Sequence, residues 1–400
     1  MRRLVVLAAL VGSGCASTAV APAPRAAFSA VESDPAVAAA AARLEAARSE
    51  EAGPGPIDAL ELRLGGIGEG QTAPGGNLEV GARLNLTSPF EMAAQGRATQ
   101  AAVDEAAAVL DATALKTLVG RCDSDVARSA SEARREIAAK AANRLGELDT
   151  WVRGLGRANL LSASALLELR MELGMARVAA APSPQAAETL PLFGLPDAAW
   201  SGRAWTATGP QLDALIDRYN PDLATRRAAG RRFEALAEQA GAKGLPWLNF
   251  VEMSYQPYND DEVRGDYAAR LSVELPLSGE AGDAADGYRQ RAKAETLDGE
   301  ALRAELRLAA QEALATLAAF NAREATWTEL LAAATEAEQV ADSSIAARSG
   351  EADDLFSLAR RAQEVRLRAL GWQEDVALAG CSLLAATGVR PEQFDASLTK

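Results

Sequence analysis

The sequence predicts a mainly α-helical chain with a membrane β-barrel portion, built as a duplicated helix-strand-strand-helix-helix unit. Three observations carry this. Two Ala-rich stretches, Phe90 to Arg153 and Ala281 to Ala347, contain no proline, and at 1.5 Å per residue each spans about 100 Å as a helix. Landmarks in the two halves of the chain recur at a nearly constant offset. Between the helices lie two pairs of short segments in which apolar and polar residues alternate, the period of a strand with two unlike faces.

A helix of that length cannot be buried in a compact globule, so it must lie against other long helices as a coiled-coil hairpin. In the second stretch, Leu302, Leu306, Ala309, Ala310, Ala313, Leu314, Leu317 and Ala318 recur at three and four, as an amphipathic helix requires. Hydrophobic residues make up 48% of the 400-residue chain, but aromatic residues only 5%. An apolar inventory of mostly Ala, Leu and Val suits closely approached helices better than a thick core.

Composition also excludes functions. A formal net charge of −14 argues against nucleic acid, since phosphate binding needs a basic face. There is no histidine, which removes the commonest general base and the commonest metal ligand. No nucleophile elbow or phosphate loop is present. The glycines from Gly66 to Gly70 follow one strand into another rather than opening a helix. The expectation is a protein that is not an enzyme, with no cofactor and no metal. Cys122 and Cys381 fall inside helical patterns, where a buried free thiol is expected ahead of a disulfide.

Met1 to Ser17 reads as an export signal: Arg2 and Arg3, the apolar run Leu4 to Val11, then small residues. The run is too short to span a bilayer. Gly14-Cys15 resembles the lipobox of bacterial lipoproteins, although Gly12 stands where Leu is preferred. Lipidation at Cys15 is the expectation; ordinary secretion with cleavage after Ala21 is the alternative. Either route leads to a bacterial cell envelope. The organisation that follows is a signal peptide over 1–15, a tether over 16–33, a first repeat over 34–181, a connector over 182–209, a second repeat over 210–388 and a tail over 389–400.

Asp34-Pro35 starts the first helix, Asp capping and Pro at the first helical position, and the helix runs to about Glu51. Ala59 to Leu64 and Asn77 to Leu86 then alternate, joined by a glycine-rich loop from Gly65 to Gly76. Pro89 ends that pair and the long helix follows. Gly154-Leu155-Gly156 breaks it, and Ser162 to Ala181 is helical again. Asn220-Pro221-Asp222-Leu223 restarts the pattern, with Leu248 to Tyr255 and Tyr267 to Leu275 as the second strand pair. Pro221 lies 186 positions after Pro35, Pro276 lies 187 after Pro89, and Leu355 lies 189 after Leu166. Such constancy marks a tandem duplication.

Each strand pair has the length that crosses a bilayer when tilted, and neither stands alone because isolated hairpins leave open edges. Four strands do not close a barrel, so several chains must contribute. One face would be apolar toward lipid. The other would carry Glu61, Arg63, Glu79, Arg83, Arg270 and Glu274 toward a wet lumen. Tyr255, Tyr258 and Tyr267 sit near the loop end, where an aromatic girdle belongs. A soluble sheet with one solvated face is the competing reading.

The Asn220-Pro221-Asp222-Leu223 helix start, Pro246 before the third strand, Leu271 to Pro276 closing the fourth, and Arg348 to Leu355 at the helix turn carry a resemblance. In their duplicated order, from about Asp34 to Gly388, they are similar to the TolC family of outer-membrane efflux proteins. The resemblance implies a homotrimer whose chains form a trimeric α-barrel and share one twelve-stranded β-barrel. It implies passive export of small molecules or polypeptides as the exit duct of a tripartite efflux or type I secretion system. The partners implied are outer-membrane lipid, a periplasmic adaptor and an inner-membrane pump of RND or ABC type. Shorter helices are expected to stack end to end: Ser162 to Ala181 with Pro210 to Ala242, and Asp353 to Thr387 with Pro35 to Glu51.

Gly350 then marks the periplasmic mouth. Leu155, Gly156 and Arg157, with Arg348, Ser349 and Gly350, are where an adaptor would dock. Arg157 and Arg348 are candidates for holding the entrance shut. The acids that the family often places six and nine positions after the turn glycine are replaced by Phe356 and Ala359. Asp353 and Asp354 are the remaining candidates for an acidic constriction, set against a first-turn pair favoured by the helix dipole. The alternative to a duct is a lipid-anchored periplasmic coiled-coil scaffold whose strands never enter a membrane.

Overall fold

The computed structural model describes residues 31–50, 57–66, 78–154, 162–181, 193, 205–256, 266–274 and 279–394. The signal peptide with Cys15, the tether up to residue 30, most of the connector and the last six residues lie outside them. In chain order the elements are α1 (Pro35–Ser49), β1 (Ile57–Gly66), β2 (Leu78–Leu86), α2 (Pro89–Gly154), α3 (Ala163–Ala180), α4 (Gly209–Tyr219), α5 (Pro221–Lys243), β3 (Trp247–Gln256), β4 (Asp266–Glu274), α6 (Glu280–Ala347) and α7 (Ala352–Thr387), closed by one 3-10 turn at Pro391–Gln393. The duplicated order is present, and the long helices α2 and α6 have 66 and 68 residues.

The helix starts follow from side-chain chemistry. Asp34 accepts from the Ala36 amide and Asn220 from the Leu223 amide, each with proline at the first helical turn. Pro89 uses the same device: it opens α2 behind Ser88, whose hydroxyl accepts from the Glu91 amide. Helix α6 ends with Arg348 in the left-handed conformation (φ 50°), followed by Gly350 at φ 92°. This places the turn to α7 where the sequence predicts it.

Near the sheet the helices lie side by side in the order α1, α2, α5, α6; toward the far tip the order is α3, α2, α7, α6. Helices α5 and α7 thus share the groove between the two long helices, while α1 and α3 both lie on α2. This corrects the expected stacking of α3 with 210–242 and of α7 with α1. The reason is the joint at Asn220. Besides capping α5, its side-chain amide donates to the carbonyls of Ala385 and Ala386 at 3.1 and 2.9 Å, satisfying the last turn of α7. The same residue, extended at φ −79° and ψ 115°, divides the expected helix 210–242 into α4 and α5.

Alanine lets the helices approach closely. At mid-height Ala310, Ala313, Ala379 and Ala386 interleave with Leu212, Leu215, Leu314, Leu317 and Leu383, closed by Trp205 and Phe394. A second buried cluster joins Val31 and Val37 to Leu115, Leu118 and Leu384. Between α2 and α7, Cys122 and Cys381 form a disulfide, which corrects the expected free thiols. The two positions are 259 residues apart, and only the packing of α7 on α2 brings them within reach.

The four strands form one antiparallel sheet in the order β1-β2-β3-β4. Strand β2 pairs with β3 across the two repeats, Leu84 opposite Val251 and Arg83 opposite Glu252. The sheet is open, and β1 and β4 are its two edges.

Candidate functional site

The sheet is apolar on one face and charged on the other. Across its middle runs a row of directly paired residues of alternating charge: Glu61 opposite Arg83, Arg83 opposite Glu252, Glu252 opposite Arg270. Opposite charges placed directly across strands stabilise the pairing. Glu252 is 6% exposed, although the sheet is a single layer. It accepts from Arg270 at 3.3 Å and lies 3.7 Å from Arg63. Arg63 also donates to Glu61 at 2.9 Å, and the Asn85 amide donates to the same carboxylate at 3.0 Å. The Arg83 guanidinium sits 3.4 Å over the ring of Phe250 and donates to Asn85.

The opposite face carries Leu60, Leu62, Val80, Met253, Tyr267 and Leu271, all exposed, with Leu62 at 79%. Aromatic rings mark both ends of the sheet. Tyr255 and Tyr267 pair at 4.9 Å between centroids toward the loop end, and Trp247 meets Phe90 edge-on at 6.5 Å where the helices begin. Of the expected lumen residues, Glu61, Arg63, Arg83 and Arg270 are brought together. The side chains of Glu79 and Glu274 and all of Tyr258 lie outside the described residues. Glu252, on which Arg63 and Arg270 converge, was missed. Its signal was present in β3 as polar Glu252 and Ser254 at period two, obscured by a register shift between Leu248 and Phe250.

The other candidate region is the tip, farthest from the sheet. Leu155, Gly156 and Arg157 lie outside the described residues. Arg348 is exposed and borders a cleft of about 630 Å³ among α2, α3 and α6, lined also by Asn143, Glu147, Thr150, Trp151 and Arg177. Asp353 and Asp354 are exposed in the first turn of α7, the position that the helix dipole favours. Phe356 and Ala359 are buried against Leu145, Leu148, Trp151, Leu169 and Ile345. Their places are packing positions here, which accounts for the missing acids: a carboxylate there would be desolvated without a partner.

A polar network ties three helices together in the halves that lead to the tip. Arg144 of α2 donates to both oxygens of Asp342 on α6, at 2.5 and 3.0 Å. It also reaches Glu338 at 3.4 Å, and Arg366 of α7 grips Glu338 and donates to Thr335 at 3.1 Å. The Asp342 hydrogen bond, opposed by burial, holds the Arg144 pKa above its ordinary value. Bidentate arginine-carboxylate pairing fixes geometry as well as charge. Sequence periodicity could not announce this network, because each member reads as an ordinary helix-surface charge. Among the described residues no group of acids and cysteines could hold a metal ion, and no helix is long and apolar enough to cross a membrane.

No protein-family model matches the chain, and no curated protein matches it in sequence. Solved structures do match in fold. The chain is similar to CusC, studied for folding and transmembrane channel formation, with a TM-score of 0.63, 14% identity and 90% of each chain covered. It is similar to the open state of the Neisseria gonorrhoeae MtrE outer membrane channel, with a TM-score of 0.62, 16% identity, and 90% and 87% of the two chains covered. It is also similar to the outer membrane protein VceC of Vibrio cholerae, with a TM-score of 0.63, 12% identity, and 90% and 94% covered. The fold is that of TolC-type outer-membrane channels.

Proposed function

We propose that the chain is the outer-membrane exit duct of an efflux or type I secretion system. Three copies each contribute four strands to one twelve-stranded barrel, and their helices continue it as a tunnel across the periplasm. Transport is passive. An inner-membrane pump of RND or ABC type and a periplasmic adaptor supply energy and cargo. The adaptor docks at the tip, around Leu155, Gly156, Arg157, Arg348, Ser349 and Gly350, and lipidated Cys15 adds an anchor.

The inside-out sheet carries this reading. Water would leave the leucines buried and the glutamates exposed; here Leu62 is exposed and Glu252 buried. That inversion suits a sheet whose apolar face meets lipid and whose charged face meets water. Strands of nine and ten residues, tilted by about 40°, span an apolar band of about 25 Å, and aromatic rings at both ends match its interfaces. The two open edges, β1 and β4, require strands from other copies. A second unpartnered surface points the same way: Leu167, Met171, Met175 and Val178 form an exposed apolar stripe along α3, suited to a neighbouring helix. The fold's solved relatives are outer-membrane channels.

The test is purification from outer membranes followed by planar-bilayer recording. A detergent-extracted trimer that resists heat and conducts supports the duct. A monomer released by salt or lipase and unable to conduct supports a periplasmic scaffold and overturns it.

A further inference from the structure

We infer that Glu252 is the residue that sets the ion preference of the β-barrel lumen, an assignment that rests on the duct reading above. The described charged side chains brought together on this face include the carboxylates of Glu61 and Glu252 and the guanidiniums of Arg63, Arg83 and Arg270. Glu61 is engaged by Arg63 and Asn85 at the β1 edge. Glu252 stands at the centre, between Arg270 at 3.3 Å and Arg63 at 3.7 Å and directly across from Arg83. Its negative charge therefore offsets Arg270 and, together with Glu61, Arg63.

Removing it takes that carboxylate from Arg270 and leaves Arg63 to Glu61, so positive charge is in excess on the wall of a water-filled pore, where fixed charge attracts counter-ions within a Debye length. The charges at the tip cannot substitute. Asp353 and Asp354 lie beyond the far end of α6, whose 68 residues span about 100 Å, against a Debye length of about 10 Å at 0.1 M salt. The helix face where carboxylates were sought at the entrance is closed by buried Phe356 and Ala359. Fixed charge in the barrel is thus an independent filter, and Glu252 is its balancing member.

Reversal potentials across a KCl gradient, measured on the full-length protein in planar bilayers, test this. At about 0.1 M, Glu252→Gln is expected to shift the chloride-to-potassium permeability ratio at least about twofold toward chloride. The shift should fade near 1 M, where screening shortens to about 3 Å. Arg270→Gln should move the ratio toward potassium, and the double substitution should return it near wild type. A conducting Glu252→Gln channel with the wild-type ratio overturns the assignment, as do two single variants that shift in the same direction. If Glu252→Gln does not assemble, Arg270→Gln and Arg63→Gln decide alone: both must favour potassium, and unchanged ratios overturn it. A wild-type protein that does not conduct overturns the duct reading itself, a result distinct from an altered or unaltered ratio.

Discussion

Cys122 of α2 is bonded to Cys381 of α7 across 259 residues of sequence, in a buried cluster with Val126 and Ala377. The bond holds the upper part of α7 against a long helix, whereas the tip end of α7 is held by side chains alone. Cross-linking so long a loop constrains the unfolded chain strongly. Replacing both cysteines by serine should lower stability by about 2–5 kcal/mol. The loss should appear as a lower midpoint of helix unfolding, and reductant should move the wild-type curve toward the variant. Coincident curves would show that the disulfide contributes nothing.

Asn220 performs two tasks that a single substitution separates. Alanine removes both the α5 cap and the two bonds to the end of α7, an expected loss of about 2–3 kcal/mol for a buried group. Aspartate keeps the cap but turns a carboxylate toward two carbonyls, so it should rescue little. Gly388 is the complementary element: its φ is +71°, and an added Cβ would lie 2.3 Å from the Tyr219 carbonyl oxygen. Gly388→Ala should loosen the same joint. Hydrogen exchange in the first turn of α5 and the last turn of α7 reads both effects, and protection equal to wild type would refute them.

The Arg144 network should govern how tightly the tip is held. Arg144→Met leaves Asp342 and part of Glu338 without their partner, a loss of about 1–3 kcal/mol for a half-buried site. Arg134→Met breaks only an ion pair with Glu374 in which the arginine is half exposed and should cost under about 1 kcal/mol. Protease cleavage between residues 340 and 360 should accelerate in the first variant and not in the second. Equal cleavage in both would remove Arg144 from any special role at the entrance.

Asp222 provides a pH dependence. Partial desolvation raises its carboxyl pKa above the ordinary value although the residue is exposed, and Lys116 and Arg226 offset part of that rise. An acid whose folded pKa exceeds its unfolded one makes the folded state bind more protons, so stability falls as pH rises through that interval. Asp222→Asn should therefore gain a small, solvent-screened stability relative to wild type at pH 7, and the gain should disappear as pH falls below the unfolded value near 3.8. Paired unfolding curves at pH 7 and pH 3.5 measure this; a gain that persists at the lower pH would contradict it.

Legibility followed the range of the interactions. Helix starts at Asp34-Pro35 and Asn220-Pro221, the turn at Gly350 and the strand faces were readable because neighbouring residues in sequence decide them. At the candidate site, Glu61, Arg63, Arg83 and Arg270 were named from alternation alone. Glu252 was not, because the register shift after Leu248 breaks the period on which that reading depends.

Sequence by itself determined the duplicated order, the length of the helices and the two-faced strands, since proline placement and apolar period are local and survive without a partner. Tertiary structure decided which elements meet: α7 seated above α5 at Asn220, Cys122 beside Cys381, Arg144 gripping Asp342, and a row of alternating charge around Glu252. Each of these joins residues from distant parts of the chain, and a pattern of period 3.6 or 2 states which face is apolar but not which partner will cover it.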